Sequence, residues 1–258
     1  MATSRAQNTQ TLLPNGKVLV TGGSNLQAPY GDEMLVPINE SEVYDPASNI
    51  WSSAGAMSTA RALHTATLLN NGKVLVVGGT TDGSTITDNV DIYDPSTNSW
   101  APAAPLNTAR QQHTATLLSD GRVLVAGGVP TVYTPLASAE IYDPVANTWT
   151  NVASMNDARS QHAAILLPSG HVLVATGYGG NAFLSSAELY DPGSNTWTRT
   201  GSLDVEARGA GGDAPAKRQG PPVGWPRREC RRTDHHRNLR SFDGELDRRR
   251  RGHSRAGA

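Results

Sequence analysis

The chain has 258 residues, 37% of them hydrophobic and 5% aromatic, with a formal net charge of −1 at pH 7. Its single cysteine, Cys230, excludes a disulfide framework, and no apolar run is long enough to span a membrane as a helix. The charge is split: residues 1–200 hold 8 Lys and Arg against 15 Asp and Glu, a net −7, while residues 201–258 hold 14 against 8, a net +6. The larger, mildly acidic part therefore offers no basic face for a phosphate backbone.

The opening residues, MATSRAQNTQ, lack the charged and apolar regions of a signal peptide. They match the interior of a later repeat instead. Arg5, Thr9, Thr11, Leu12 and Leu13 align with Arg110, Thr114, Thr116, Leu117 and Leu118, so a leader or earlier repeats are expected upstream. The first unit, about residues 4–51, carries a lengthened loop, SNLQAPYGDEMLVPINE. Lys17 to Trp51 spans 34 positions, whereas Lys73 to Trp100 and Arg122 to Trp149 each span 27. Binding function tends to sit in such loops, which makes Tyr30, Asp32 and Glu33 candidate contacts.

Residues 61–100 form the most regular unit and predict four short strands. HTATLL and KVLVVGG flank Asn70-Asn71-Gly72, a hairpin signal because Asn and Gly both accept positive φ. The second strand ends at Gly78-Gly79. VDIYDP alternates apolar and polar residues, as a half-buried strand does, and Asp94-Pro95-Ser96-Thr97-Asn98 supplies a tight turn into the strand of Trp100. Units at about 110–149 and 159–197 repeat the pattern, and their variable loops expose Tyr133 and, within GYGGNAFLSS, Tyr178 and Phe183. Across the units His64, His113 and His162 lie 49 apart, and Trp51, Trp100, Trp149 and Trp197 follow at 49, 49 and 48. A period near 50 is a propeller period.

The recurring landmarks Arg61, His64, Gly78-Gly79, Tyr93-Asp94-Pro95 and Trp100 make the chain resemble the kelch family over residues 4–199. The resemblance implies an all-β, kelch-type β-propeller with four recognisable four-stranded blades. Kelch propellers usually close with six or seven blades, so the array is expected to be an incomplete ring with an uncovered face at each end. Two departures stand out: Asn8 replaces the histidine, and Thr176-Gly177 replaces the glycine pair.

The glycine pairs close strands and open no helix, so they are read as close-approach points rather than phosphate cradles. The repeated Arg and His residues are read as holding loops and neighbouring blades, and Tyr44, Tyr93, Tyr142 and Tyr190 with the four Trp residues as packing between blades. No compact metal-ligand set is evident, and no cofactor is expected. The kelch family resembles the propeller of galactose oxidase, whose copper site requires a cysteine cross-linked to a tyrosine, yet the four blades contain no cysteine. The expectation is a non-enzymatic propeller that binds a protein or glycan ligand through loops on one face. The alternative is a fragment of a propeller enzyme of the galactose oxidase or sugar-isomerising type.

The period stops at Arg208. Residues 201–258 are rich in Arg, show no strand periodicity, and are expected to be disordered, touching nucleic acid only non-specifically. Read from the second base of each codon, GDAPAKRQGP can encode ATLLPNGKVL, close to TLLPNGKVL at residues 11–19. In the same frame Leu239 to Ser241 can encode Tyr-Asp-Pro and Leu246 can encode Trp. An out-of-frame fifth blade is the expectation for this tail.

Overall fold

The computed structural model describes residues 4–27, 34–131 and 134–203. Tyr30, Asp32, Glu33, Tyr133, Cys230 and the whole Arg-rich tail lie outside the described residues.

The first blade contains β1 (Thr9–Leu12) and β2 (Val18–Thr21). It continues through an added hairpin of β3 (Ser24–Gln27) and β4 (Met34–Pro37), then β5 (Glu40–Asp45) and β6 (Ile50–Ala56). The long insertion, read from sequence as a loop, thus pairs its two arms as an antiparallel hairpin, Ser24 opposite Pro37 and Gln27 opposite Met34. The second blade is β7 (Thr65–Leu68), β8 (Val74–Val77), β9 (Val90–Asp94) and β10 (Ser99–Ala103), and the third is β11 (Thr114–Leu117), β12 (Val123–Ala126), β13 (Ala139–Asp143) and β14 (Thr148–Val152). The fourth is β15 (Ala163–Leu166), β16 (Val172–Ala175), β17 (Ala187–Asp191) and β18 (Thr196–Arg199). Each blade is a four-stranded sheet in sequence order, apart from the added hairpin. The described residues are all-β, as the repeat predicted, and each fourth strand runs past its Trp because pairing continues, Ala103 opposite Val90 for example.

The turn between the first two strands departs from expectation in detail. Asn70 and Asn71 keep negative φ and only Gly72 is left-handed, at φ 80°. One residue in that conformation after a turn is the glycine-bulge way of closing a hairpin, and it keeps the strand twist that two left-handed residues would otherwise supply. Asn71 Oδ1 accepts the Lys73 amide at 3.1 Å and fixes the exit.

First strands of successive blades lie side by side, β1 on β7, β7 on β11 and β11 on β15. Apolar residues on the facing sheets fill the space between blades. Leu13, Leu19, Val43 and Met57 of the first blade meet Val74, Val76, Tyr93 and Leu68 of the second. Leu69, Leu75 and Leu106 meet Val123, Val125 and Tyr142, and Leu118, Leu124 and Met155 meet Val172, Val174 and Tyr190. Because β8 and β12 have a neighbour on both faces, all four residues of each are buried, which is why KVLVVGG reads as a continuous apolar run.

The Trp residues tie these layers. Trp100 packs on Tyr93 with ring centroids 5.1 Å apart and donates from Nε1 to Ala54 O of the preceding blade at 2.8 Å. Trp149 and Trp197 repeat that bond to Ala104 O and Ala153 O. Trp100→Ala should cost about 2–4 kcal/mol, the lower part of the range for emptying an aromatic site, since one edge of the ring already meets solvent. A urea unfolding curve checks this, and a loss under about 1 kcal/mol would show that the bond to Ala54 carries no stability.

Candidate functional site

Two ends of the blades have different characters. At one end lie the turns that join first to second and third to fourth strands. At the other lie the connections from second to third strand, together with the linkers between blades. The repeats vary in length and composition at that second end, so it is where the chain can encode a specific contact.

The scaffold under that end is built by the repeated Arg. Arg110 is fully buried, donating from Nη1 to Gly127 O at 2.8 Å and Ser138 O at 3.0 Å and from Nη2 to Glu140 Oε1 at 2.7 Å. It therefore clamps the end of the second strand to the start of the third. Glu140 in turn accepts the linker amides of Asn107 at 2.8 Å and Thr108 at 3.1 Å. Arg61 with Asp91 and Arg159 with Glu188 repeat the arrangement at 2.7 and 2.9 Å, and Arg5 with Glu42 at 2.8 Å. Burial alone would raise the Glu188 carboxyl, but amides of Asn156 and Asp157 and the Arg159 guanidinium hold it below the usual value. Sequence reading missed these acids. VDIYDP looked like plain alternation, which would leave Asp91 in water, yet Asp91 is buried because the Arg61 guanidinium meets it there. The available signal was an acid 29 or 30 residues after each of the last three Arg residues.

The histidines cross between blades. His64 Nε2 shares a hydrogen bond with Thr9 at 3.1 Å, His113 with Thr65 at 2.8 Å, and His162 with Thr114 at 2.9 Å. Burial, reinforced by the Arg61 charge, pushes His64 down to about 3. Burial and Arg159 push His162 to about 4, and His113 also lies well below its ordinary value. All are neutral spacers at pH 7.

The glycine pairs admit the next blade. Gly79 takes φ 104° and its amide donates to Arg110 O at 2.9 Å, as Gly23 does to Arg61 O and Gly128 to Arg159 O. A Cβ at Gly78 would overlap that same carbonyl. At the opposite end of the repeat, Asp94 Oδ1 accepts the Ser96 amide at 2.9 Å, and Tyr93 donates its hydroxyl to Asn98 at 2.8 Å. The Ser96 hydroxyl and Lys73 ammonium draw the Asp94 carboxyl down to about 2.

Of the predicted contacts, the structure brings two together. Phe183 is 80% exposed and its ring meets Tyr178 edge-on, with centroids 5.7 Å apart. Tyr178 is half-buried, bridges backbone to both Ser160 and Phe183, and donates its hydroxyl to Gly180 O. Leu184 N donates to Gly177 O at 2.8 Å, so Phe183 stands on a loop closed at its base. A Cβ at Gly180 would lie 3.4 Å from Pro135, which places the fourth-blade loop against that of the third. Sequence reading did not single out the solvent-open grooves at the other end. One of about 390 Å³ lies between the second and third blades, lined by Asn71, Asp120, Arg122, Asp143 and Pro144, and its counterpart of about 310 Å³ lies between the third and fourth.

Among the described residues no group of three or more His, Cys, Asp and Glu could hold a metal ion, and no helix is long and apolar enough to cross a membrane. The fold is similar to the structure of YjhT, with a TM-score of 0.64 at 16% identity over 78% of this chain and 71% of that one. Another similar structure is a novel fungal alcohol oxidase of the AA5 family in complex with copper. Its TM-score is 0.49 at 17% identity, over 78% of this chain and 54% of that one. No curated protein matches the sequence. The family model described as the KLHDC2/KLHL20/DRC7 kelch-repeats domain matches residues 6–220, and the chain, with its four blades of that repeat, belongs to this kelch family.

Proposed function

We propose that this propeller is a non-enzymatic binding module that recognises a protein or glycan ligand through the loops joining second to third strands. Kelch domains generally mediate interactions, and four blades set their loops side by side at one end of a rigid scaffold. The observation that carries the reading is Phe183, an aromatic side chain that is 80% exposed yet held by Tyr178 on a loop closed at its base. A large apolar ring costs free energy in water, and a preorganised ring loses little entropy on binding, which is how interface anchors work. Tyr30, Asp32, Glu33 and Tyr133 belong to the equivalent connections of the first and third blades, so the same surface would extend across them.

A glycan array and a protein pull-down, followed by titration of the hit, test the proposal. Tyr178→Ala with Phe183→Ala should weaken the hit by at least about tenfold, as loss of an anchor does, with the melting temperature little changed for Phe183→Ala alone. Affinity unchanged in the double variant would remove this loop from the site.

A further inference from the structure

The charged side chains of the blades are sorted between their two ends. Lys17, Lys73 and Arg122 stand in the turns between first and second strands, paired with Asp45, Asp94 and Asp120 at 3.1, 3.0 and 2.6 Å. Arg5, Arg61, Arg110 and Arg159 lie under the connections of the other end, their side chains closed to solvent and each bonded to a buried acid. Arg199, the remaining cation of the described residues, bonds Asp157 at 2.6 Å. Glu40, Asp82 and Asp88 are exposed at the same end, where every cation among the described residues is already matched to another acid. The connections therefore present an acidic face.

The second- and fourth-blade connections on that face are built on one frame. Ala62 bridges Thr80 and Thr80 bridges Ile86, as Ser160 bridges Tyr178 and Tyr178 bridges Phe183. In the fourth blade the frame holds out the Phe183 ring. In the second it holds out Asp82, whose carboxylate accepts the Ser84 amide at 2.8 Å and the Ser84 and Thr85 hydroxyls at 2.9 and 2.7 Å. The Thr85 amide and these bonds keep the Asp82 carboxyl well below its ordinary value, so it is charged as well as fixed in place. The third-blade connection comes between the two. At its base Gln111 bridges Val129, and the buried Gln111 Oε1 has no hydrogen-bond partner, although a buried acceptor normally has a donor.

We propose that the ligand of this face is an Arg-bearing peptide segment of another protein. The inference rests on the binding role proposed for the Phe183 loop and narrows its ligand from protein or glycan to a basic peptide. A guanidinium suits both kinds of fixed group, because it stacks on an aromatic ring, donates two parallel N–H bonds to a carboxylate, and sheds water more readily than an ammonium. A neutral glycan would use the ring but leave the acids unmatched, and an acidic ligand would be repelled. Phe183 supplies the anchor, and Asp82, Asp88 and Glu40 select the partner that reaches it.

Fluorescence anisotropy of the full chain tests this with three labelled peptides on one Ala-Leu framework, carrying Arg, Gln or Glu at the same positions. The Arg peptide should bind at least about tenfold more tightly than the Gln peptide, the Glu peptide should be weakest, and the affinity of the Arg peptide should fall as NaCl is raised. Asp82→Asn with Asp88→Asn should weaken the Arg peptide by about three- to tenfold at low salt, and the retained Asn Oδ1 keeps the loop closed. Phe183→Ala should weaken it by about tenfold, whereas Asp143→Asn, at the turn end, should leave it unchanged. Equal affinity for the Arg and Gln peptides overturns the inference, as does an Arg peptide indifferent to the paired Asp82 and Asp88 variant. A neutral glycan that binds, is lost on Phe183→Ala and ignores the acid variant overturns the basic partner and leaves the loop as the site. An Arg peptide that ignores Phe183→Ala removes the ring from the site, and with it the reading on which this one rests.

Discussion

Lowering the pH from 7 to 5 should cost the propeller a large part of its stability. His64, His113 and His162 are buried and their folded values lie far below the ordinary histidine value, about 3 for His64 and about 4 for His162. The unfolded chain takes up their protons near pH 6.5, so from there down to about pH 4 it binds more protons than the folded chain, and stability falls as pH falls. His64 and His162 each contribute about 2 kcal/mol of loss by pH 5 and His113 acts in the same direction, against the ~5–15 kcal/mol that holds a typical domain folded. The Glu188 and Asp94 carboxyls are both held below their ordinary values, outside the range from pH 7 to 5. Urea midpoints at pH 7, 6 and 5 measure the effect. Replacing all three by Asn, the residue that blade one already uses at Asn8, should flatten the profile. A midpoint unchanged between pH 7 and 5 would mean that the rings gain protons without unfolding.

Arg110→Ala should be as damaging at neutral pH, costing about 3–5 kcal/mol, the range for removing one partner of a buried ion pair. The substitution strands Glu140 as a buried charge and leaves the carbonyl of Gly127 without its donor, while that of Ser138 keeps only the Gly127 amide at 3.1 Å. Many buried pairs can be exchanged for two apolar residues at little cost. Here Arg110→Met with Glu140→Leu should not recover the loss, because Glu140 also holds the amides of Asn107 and Thr108. Chemical denaturation of the single and double variants decides it. Recovery to within about 1 kcal/mol of wild type would show that the linker amides find other acceptors.

The blade was legible because its signals are local. Gly72, Gly78-Gly79 and the alternation around Tyr93 report backbone conformation and burial within a few residues, and four copies at one spacing remove the ambiguity of any single copy. The buried acids were not legible, since whether Asp91 faces water depends on a guanidinium 30 residues earlier that folding brings to it. The hairpin of β3 and β4 was missed for a related reason. Its arms, SNLQ and MLVP, are too short and too mixed to show period-two alternation, and only their pairing reveals them. Of the candidate site, the exposure of Phe183 followed from its place in a variable loop. The Tyr178 ring that steadies it was visible only in three dimensions.

The bond from Gly79 to the Arg110 carbonyl has a meaning for synthesis as well as for the finished molecule. Each of the first three blades completes its glycine corner with a residue of the blade that follows, and Trp100 completes its own position with a carbonyl of the blade before. A blade leaving the ribosome must therefore wait for about one more repeat, 49 residues from Trp51 to Trp100, before its trailing face is shut. At roughly 5–20 residues per second this is an interval of about 2–10 s during which one apolar sheet face is bare. The nascent chain thus carries a bare trailing face that moves forward one blade at a time, and that face is where a folding chaperone would hold it.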